Sequence, residues 1–276
     1  MDGLILNLAP TGMVPTRSMN PNLPVTPDQI IADCCKCVDL GASILHIHAR
    51  DESGVPTFRR DIYARIIEGI RENKPEAIIC VSLSGRHFQD FADRSDPLLL
   101  RGDLKPDMAS LTLSSLNFAR QASVNEPDMV RRLAETMAEA GIRPELEVFD
   151  LGMVNYAKYL IDRGLIEPPF YFNFLLGNVS SCQLDPLHLG ALAASLPEKS
   201  VWACGGIGDS QLAANTLGIL HGNGVRVGLE DYLWMDRQRT ELASNAGMVK
   251  RITELATLLE RSFEPAPVVR KALGLA

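Results

Sequence analysis

The chain has 276 residues, of which 46% are hydrophobic, 22% charged and 6% aromatic, a composition typical of a soluble globular protein rather than a disordered one. Its net charge of −7, without a basic stripe, argues against nucleic acid or an anionic membrane surface as a partner. The chain has no apolar stretch long enough to span a bilayer and no basic segment before its first apolar run, so we expect neither a membrane span nor a signal peptide.

Short apolar runs predict eight β-strands along the chain, and segments with helical periodicity separate them. Such alternation is typical of βα units around a parallel sheet. The predicted strands are Leu4 to Leu8, Ser43 to His48, Ala77 to Leu83, Met108 to Leu111, Glu145 to Phe149, Phe170 to Leu175, Val201 to Cys204 and Val225 to Gly228.

The helices between these strands have recognisable ends. Thr26-Pro27-Asp28-Gln29 offers a Thr N-cap, a Pro at the first helical position and a Gln that completes a capping box, and Gly41 marks the end of that helix. Glu126-Pro127 and Gly141 bound a second amphipathic helix in the same way. Gly and Pro thus delimit the units that the apolar pattern predicts.

Cysteine usage indicates a reducing compartment. The six cysteines include Cys34 and Cys37, which form a Cys-x-x-Cys pair, but no second such pair follows. Inside a predicted helix we interpret them as small buried hydrophobic residues rather than as a redox or zinc motif. We therefore expect the protein in the cytoplasm.

Eight βα units without a linker or composition break predict an α/β fold, a single (β/α)₈ TIM barrel rather than an open doubly wound sheet. We expect one catalytic domain over residues 1–276, with a short C-terminal extension. Polar residues collect at the carboxyl ends of the strands, where barrel enzymes build their active sites. They are His46, His48, Ser82, Ser84, Gly85, Ser110, Thr112, Glu147, Asp150, Asn173, Gly205, Gly206, Glu230 and Asp231.

His46-Ile47-His48 indicates half of a metal site. Residues i and i+2 of a strand project from the same face, so both imidazoles can reach one ion, although two hydrogen-bonded core histidines would fit the same pattern. Glu230 and Asp231 end the last strand and could supply a carboxylate ligand, or they could be an N-cap or a surface pair. Two His and one carboxylate leave an open position on zinc, as catalysis requires, and iron or manganese could accept the same set.

Over nearly its whole length the chain resembles the β-keto acid cleavage enzymes. Such an ordered set of motifs is far more specific than a lone His-x-His. The matching stretches are Thr11-Gly12, Asn22 to Pro27, His46 to Asp51, Pro106 to Leu111, Asn117-Phe118, Pro144 to Met153, Leu176-Gly177, Gly206 to Gly208 and Arg226 to Asp231.

The resemblance implies a zinc-dependent barrel enzyme that exchanges acyl groups between a β-keto acid and acetyl-CoA and releases acetoacetate and a new acyl-CoA. Zinc would polarise the keto oxygen and stabilise enolate-like charge. Asp231, paired with Arg226, matches the family's proton-abstracting group. The zinc ligands implied in this chain are His46, His48 and Glu230.

The resemblance also implies substrate contacts. Ser82, the Gly85 backbone and Ser110 match positions that bind the substrate carboxylate, which suits hydroxyl and N–H donors. Glu147 matches a further acidic residue of the pocket. The family's common Thr is replaced here by Ser110.

Two departures concern the far end of the substrate. In 3-keto-5-aminohexanoate cleavage enzymes an acidic residue contacts the substrate amino group, whereas this chain has Val14 there, and the usual second glycine after the third strand is Arg86. An ammonium group would lose its countercharge. We therefore expect a tail that is apolar, hydroxylated or anionic, with Arg17 or Arg86 as the counterion in the last case.

Several alternatives remain open from the sequence. A metal-dependent hydrolase or aldolase could use the same ligands without CoA, and a zinc-bound protein could have lost its chemistry, although Asp231 beside Arg226 argues against the latter. The loop Gly205 to Gly208 could hold a phosphate of CoA or be a tight turn. Leu233 to Met235 could be a subunit contact or a loop packed under the barrel, and the resemblance implies a homotetramer.

Overall fold

The computed structural model describes residues 2–275, and within them eight parallel strands form a closed barrel. Each strand pairs with the next along the chain, and the last pairs with the first, as in the register of Ile5 with Gly224. The predicted (β/α)₈ TIM barrel is therefore confirmed. The barrel strands are β1 (Ile5–Leu8), β2 (Ile44–Ile47), β3 (Ile78–Val81), β4 (Met108–Thr112), β5 (Arg143–Val148), β6 (Phe170–Leu176), β7 (Ser200–Gly206) and β8 (Gly224–Val227).

Helices alternate with these strands and surround the barrel. The capping box predicted at Thr26 is present, and Gly141 ends a helix in the left-handed conformation, with φ of 62°. The helices are α1 (Pro27–Asp39), α2 (Arg60–Asn73), α3 (Phe91–Ser95), α4 (Pro127–Ala140), α5 (Leu151–Asp162), α6 (Pro186–Ala194), α7 (Gln211–His221), α8 (Asn245–Leu258) and α9 (Ala266–Ala272). None of the helices in residues 2–275 is long and apolar enough to cross a membrane.

The structure also contains elements that the sequence pattern did not predict. After β4 the chain forms a small antiparallel hairpin, in which Leu116–Asn117 pairs with Ala122–Ser123. Two 3₁₀ turns, Asp96–Leu99 and Gly102–Leu104, lie between β3 and β4. The hairpin strands of two residues are too short to give an alternating pattern, yet the hairpin contributes to the wall of a cavity at the carboxyl end of the barrel.

The barrel interior changes from apolar to polar along the strands. At the amino end the buried inward side chains include Ile5, Ile44, Ile78 and Met108. The predicted C-terminal extension closes this end, because Val269 and Leu273 of α9 and its flank pack against the same cluster. Two residues further along the strands, the buried side chains are polar. They include Asn7, His46, Ser110, Glu145, Asn173 and Arg226.

The cysteines are all free, and their burial gives a simple test of the fold. Cys34 and Cys37 lie in the core, as predicted, and burial raises the pKa of both thiols. We expect only Cys35 and Cys182, which are partly exposed, to react with a thiol reagent such as DTNB in the native protein. In urea the other four thiols should react as well. Rapid labelling of Cys34 in the native protein would contradict its burial in the core.

Candidate active site

A cavity of about 120 Å³ opens at the carboxyl end of the barrel, where the polar residues were predicted to gather. Its wall comes from loops after several strands and from the small hairpin. The lining residues are Met13, Val14, Pro15, His48, Ser82, Ser84, Arg86, Thr112, Leu116, Phe118, Ser123, Glu147, Phe149, Leu175, Ile207, Arg226, Glu230 and Asp231.

The two histidines and Glu230 converge beside this cavity. His46 Nε2 lies 3.3 Å from His48 Nε2, and His48 Nε2 lies 3.2 Å from Glu230 Oε1. His46 Nε2 is 3.9 Å from Glu230 Oε2. The strand therefore presents both imidazoles on one face, as expected, and the loop after β8 brings a carboxylate to them.

A buried carboxylate that the sequence analysis did not single out orients His46. Glu145 Oε2 lies 2.5 Å from His46 Nδ1, and the other oxygen of Glu145 accepts hydrogen bonds from the amides of Asn7 and Asn173. Burial raises the pKa of Glu145, but the charge and hydrogen bond of His46, with the charge of Arg226, hold it at about 2. With Nδ1 bonded to Glu145, Nε2 is the nitrogen of His46 that faces the cluster.

This donor set fits a zinc ion. Glu230 Oε2 is buried without a hydrogen-bond partner, and two imidazole nitrogens face one another at a distance that leaves room for only one proton. Burial lowers the pKa of His48, which favours the neutral form that a ligand needs. The carboxylates outweigh burial and Arg226 at His46 and raise its pKa, so metal binding there would release a proton. Two imidazoles and one carboxylate are a common catalytic zinc set.

Arg226 is hydrogen-bonded to three carboxylates, one of which belongs to Glu230 of this cluster. Its Nε donates to Asp231 Oδ2 at 3.0 Å, and its two terminal nitrogens donate to Glu147 Oε1 at 3.1 Å and to Glu230 Oε1 at 2.8 Å. The guanidinium is only 2% exposed. Burial raises the pKa of Asp231 to about 6 against the opposing charge of Arg226. Asp231 therefore combines a fixed position with a pKa suited to accepting a proton near neutrality.

Two glycines allow the loops to come this close. Gly228 has a φ of 155°, and a Cβ there would lie 2.0 Å from the Ala9 oxygen. Gly12 has a φ of 68°, and a Cβ there would lie 2.6 Å from Cγ of Glu230. A side chain at either position would therefore displace the segment that carries Glu230 and Asp231.

The residues predicted to bind the substrate carboxylate lie at different depths. Ser82 lines the cavity, whereas Gly85 and Ser110 are not among the described lining residues. Ser110 Oγ accepts the Leu83 N–H at 3.0 Å, and a Cβ on Gly85 would lie 2.2 Å from the Val124 oxygen. Ser110 thus supports the loop after β3, and Gly85 allows that loop to approach the hairpin.

Val14 and Arg86, which were expected near the far end of the substrate, both line the cavity. The Arg86 guanidinium lies over the Phe118 ring, 3.6 Å from its centroid. Arg17 is exposed, donates to the Pro21 oxygen and does not line the cavity. Of the two predicted counterions, Arg86 is therefore the one in the cavity wall.

The loop predicted as a phosphate site lies beside Asp231. The Ile207 N–H donates to the Leu176 oxygen and the Gly208 N–H donates to the Asp231 oxygen. Ile207 lines the cavity. The first bond ties the loop after β7 to the end of β6, and the second ties it to the segment that carries the predicted base.

The chain is similar to known proteins over nearly its whole length. The profile of the β-keto acid cleavage enzyme family matches residues 3–275. The chain is 33% identical to a 3-keto-5-aminohexanoate cleavage enzyme of Fusobacterium nucleatum subsp. nucleatum over 276 residues, which cover 100% of this chain and 99% of that protein. It is 32% identical to a 3-oxoadipate:acetyl-CoA acetyltransferase of Cupriavidus necator, over 98% of this chain and 94% of that protein.

Among solved structures, ObcA in complex with oxaloacetate has a similar fold, with a TM-score of 0.82 at 23% identity. The similarity covers 93% of this chain and 68% of that one. The family profile spans almost every residue that the structure describes. The chain therefore belongs to the β-keto acid cleavage enzyme family, as the resemblance predicted.

Proposed function

We propose that the protein exchanges acyl groups between a β-keto acid and acetyl-CoA, with one zinc ion bound, and releases acetoacetate and a new acyl-CoA. Membership of the family makes the chain a C–C bond-cleaving acyltransferase. The relatives named as acetyl-CoA transferases support a β-keto acid and acetyl-CoA as the substrates. The observation that carries the proposal is the pairing of Asp231 with Arg226 beside the His46, His48 and Glu230 cluster.

His46, His48 and Glu230 would hold the zinc ion. When bound, zinc would supply a Lewis acid that polarises the keto oxygen of the substrate. Glu145 would keep His46 in the ligating orientation through its Nδ1.

Asp231 would move the proton. It takes one proton from C2 of the β-keto acid, and that carbon then attacks the acetyl carbonyl and expels the CoA thiolate. The thiolate attacks the original acyl carbonyl, the C–C bond breaks, and the released carbon takes the proton back from Asp231 to give acetoacetate. Arg226 holds Asp231 in place, and Glu147 fixes Arg226 from the other side.

The resemblance assigns binding of the substrate carboxylate to Ser82, the Gly85 backbone and Ser110. Ser82 is the member of this set in the cavity wall, so it would touch the carboxylate directly. Ser110 would act by holding the loop after β3 through the Leu83 N–H.

Activity assays on purified protein test the function. β-Keto acids of varied tail, each given with acetyl-CoA, should yield acetoacetate and the corresponding acyl-CoA in equal amounts. Turnover without any CoA ester would indicate a hydrolase or aldolase instead. Absence of exchange across the whole panel would refute the proposal.

Metal analysis tests the ligands. We expect about one zinc per chain in the native protein, and His46→Ala should lower that content severely because a three-residue site loses one ligand. His221→Ala, at an exposed helix end, is the matched control and should keep its zinc. Undiminished zinc in the His46 variant would refute the assignment.

The buried Glu145 gives a second metal prediction. Glu145→Gln should weaken zinc binding about 10–100-fold, because the amide cannot hold the His46 ring as a carboxylate does. Competition with a chromophoric chelator measures the affinity, and Glu254→Gln on the exposed face of α8 is the control. Equal affinities for the two variants would show that Glu145 has no role in orienting the ligand.

We also propose that residues 1–276 act as one catalytic domain in a cytoplasmic homotetramer. Support for the tetramer comes from the resemblance. Light scattering gives the mass in solution, and a monomer or dimer mass at assay concentration would refute the tetramer.

A further inference from the structure

We propose that the β-keto acid carries a second anionic group at its far end, as in a β-keto diacid, and that Arg86 binds this group. The inference rests on the proposed function, because it specifies the tail of the acid that the same site would accept. Three observations on the cavity carry it.

Within the part of the chain that the structure describes, Arg86 has no anionic partner. Among residues 2–275 no carboxylate forms an ion pair with its guanidinium, and none of the described hydrogen bonds uses its side-chain nitrogens. The other arginines near the cavity each donate several hydrogen bonds to oxygens of the protein. Arg50 donates to the oxygens of Gly12, Pro15 and Gly54, and Arg94 donates to Leu83, Val124 and Asn125. A partly buried guanidinium without such partners is available to a ligand.

The Arg86 side chain is held in place before any ligand arrives. Its guanidinium stacks on the Phe118 ring, and that ring packs edge-on against Phe149, with centroids 5.8 Å apart. Its backbone is also fixed, because its N–H donates to the Ser84 hydroxyl and its carbonyl accepts the Gln121 amide. The N–H donors of a guanidinium lie in its own plane, so stacking on an aromatic ring leaves them free for a carboxylate.

The charge balance of the cavity excludes a cationic tail. The carboxylates in the wall are Glu147, Glu230 and Asp231, and all three are bonded to Arg226. An ammonium group would therefore meet Val14 and the cation of Arg86. Burial lowers the pKa of Arg86, but the same three carboxylates oppose that shift.

A neutral tail would displace water from the partly buried guanidinium and give it no anion in return, which carries a desolvation cost. A carboxylate would accept two parallel N–H donors from it, which is the strongest geometry for this side chain. Of the possible tails, an anionic one therefore best complements the charge of Arg86 in the cavity wall.

A comparison of two acids of equal length tests the inference. We expect wild-type enzyme to use 3-oxohexanedioate with a higher kcat/KM than 3-oxohexanoate. In Arg86→Met the ratio of the two kcat/KM values should fall about 10–100-fold, the effect of losing a charged hydrogen-bond pair. Arg86→Lys, which keeps the charge without the fork, should lie between wild type and Met.

Arg132→Met is the matched control. The Arg132 guanidinium also stacks on an aromatic ring, that of Phe91 at 3.8 Å, but it lies outside the cavity. Its ratio should equal the wild-type ratio. An equal loss with both acids in the Arg86 variant would mean that Arg86 binds the carboxylate common to both and would overturn the inference.

Calorimetric binding of both acids separates this inference from the proposed function. Absence of exchange with every acid would refute acyl exchange, whereas tighter binding of the diacid that is lost in Arg86→Met would still support the inference. Equal binding of diacid and monoacid by the wild type would overturn it even in an active enzyme.

Discussion

Enzyme carrying Asp231→Asn should exchange acyl groups about 10²–10⁴-fold more slowly than wild type while it binds zinc at the same stoichiometry. The amide has the size of the carboxylate and keeps an oxygen for Arg226, so the loop after β8 should hold its shape. It cannot accept the C2 proton, however. The expected loss is therefore in kcat rather than in metal content.

Deuterium exchange isolates the step assigned to Asp231. In D₂O without acetyl-CoA, the C2 protons of a β-keto acid should exchange faster with wild-type enzyme than without enzyme. The Asn variant should not accelerate this exchange. Asp209→Asn, at a surface residue 3.6 Å from Arg237, is the control and should behave as wild type. A near-normal rate in the Asp231 variant would assign proton transfer to another group.

The barrel could be predicted because its signal is local and repeated. Each strand is a short apolar run, and eight such runs between helical segments leave few architectures. The hairpin at Leu116–Asn117 and Ala122–Ser123 could not be predicted in this way. Its four paired residues give no period, and contacts with distant segments, such as that of the Gln121 amide with the Arg86 oxygen, stabilise it.

The convergence of His46, His48 and Glu230 was also within reach of the sequence. Strand alternation places the two histidines on one face, and the closed barrel brings the end of β8 next to β1 and near β2. Glu145 was not predicted as a site residue because it lies within a predicted strand rather than at its carboxyl end. The available signal was its spacing from Glu147, because residues i and i+2 of a strand project from the same face.

The choice between Arg17 and Arg86 could not be made from the sequence. Both lie in loops, and loop positions depend on distant partners. Gln121 of the hairpin fixes the backbone of Arg86, whereas Arg17 folds back on Pro21 four residues away. Spacing along the chain carries no information about the first of these contacts.

Replacing Arg226 should have the largest effect on stability. Arg226→Met removes the shared countercharge of Glu147, Glu230 and Asp231 and leaves their carboxylates buried. Loss of one partner from a buried ion pair costs about 3–5 kcal/mol, so we expect a loss of this size in the free energy of unfolding of the zinc-free protein. Turnover should fall as well, because Asp231 loses the group that positions it.

The pH dependence of that loss gives a second, independent readout. Burial already raises the pKa of Asp231 to about 6, and without Arg226 it should rise further because one of the charges that oppose burial is gone. The pKa of Glu230, which His48, Arg226 and His46 hold well below its usual value against burial, should rise as well. A carboxyl group that binds protons more tightly in the folded state stabilises less as pH rises, so the deficit of the variant should grow from pH 5 to pH 8.

Urea unfolding at both pH values measures the deficit. Arg65→Met is the control, because its ion pairs with Asp28 and Glu52 are exposed and should contribute less than about 1 kcal/mol at either pH. A deficit in the Arg226 variant that equals the control, or that shrinks as pH rises, would show that the three carboxylates do not depend on Arg226. The same measurement therefore tests whether one guanidinium joins the predicted base to Glu230, the proposed metal ligand.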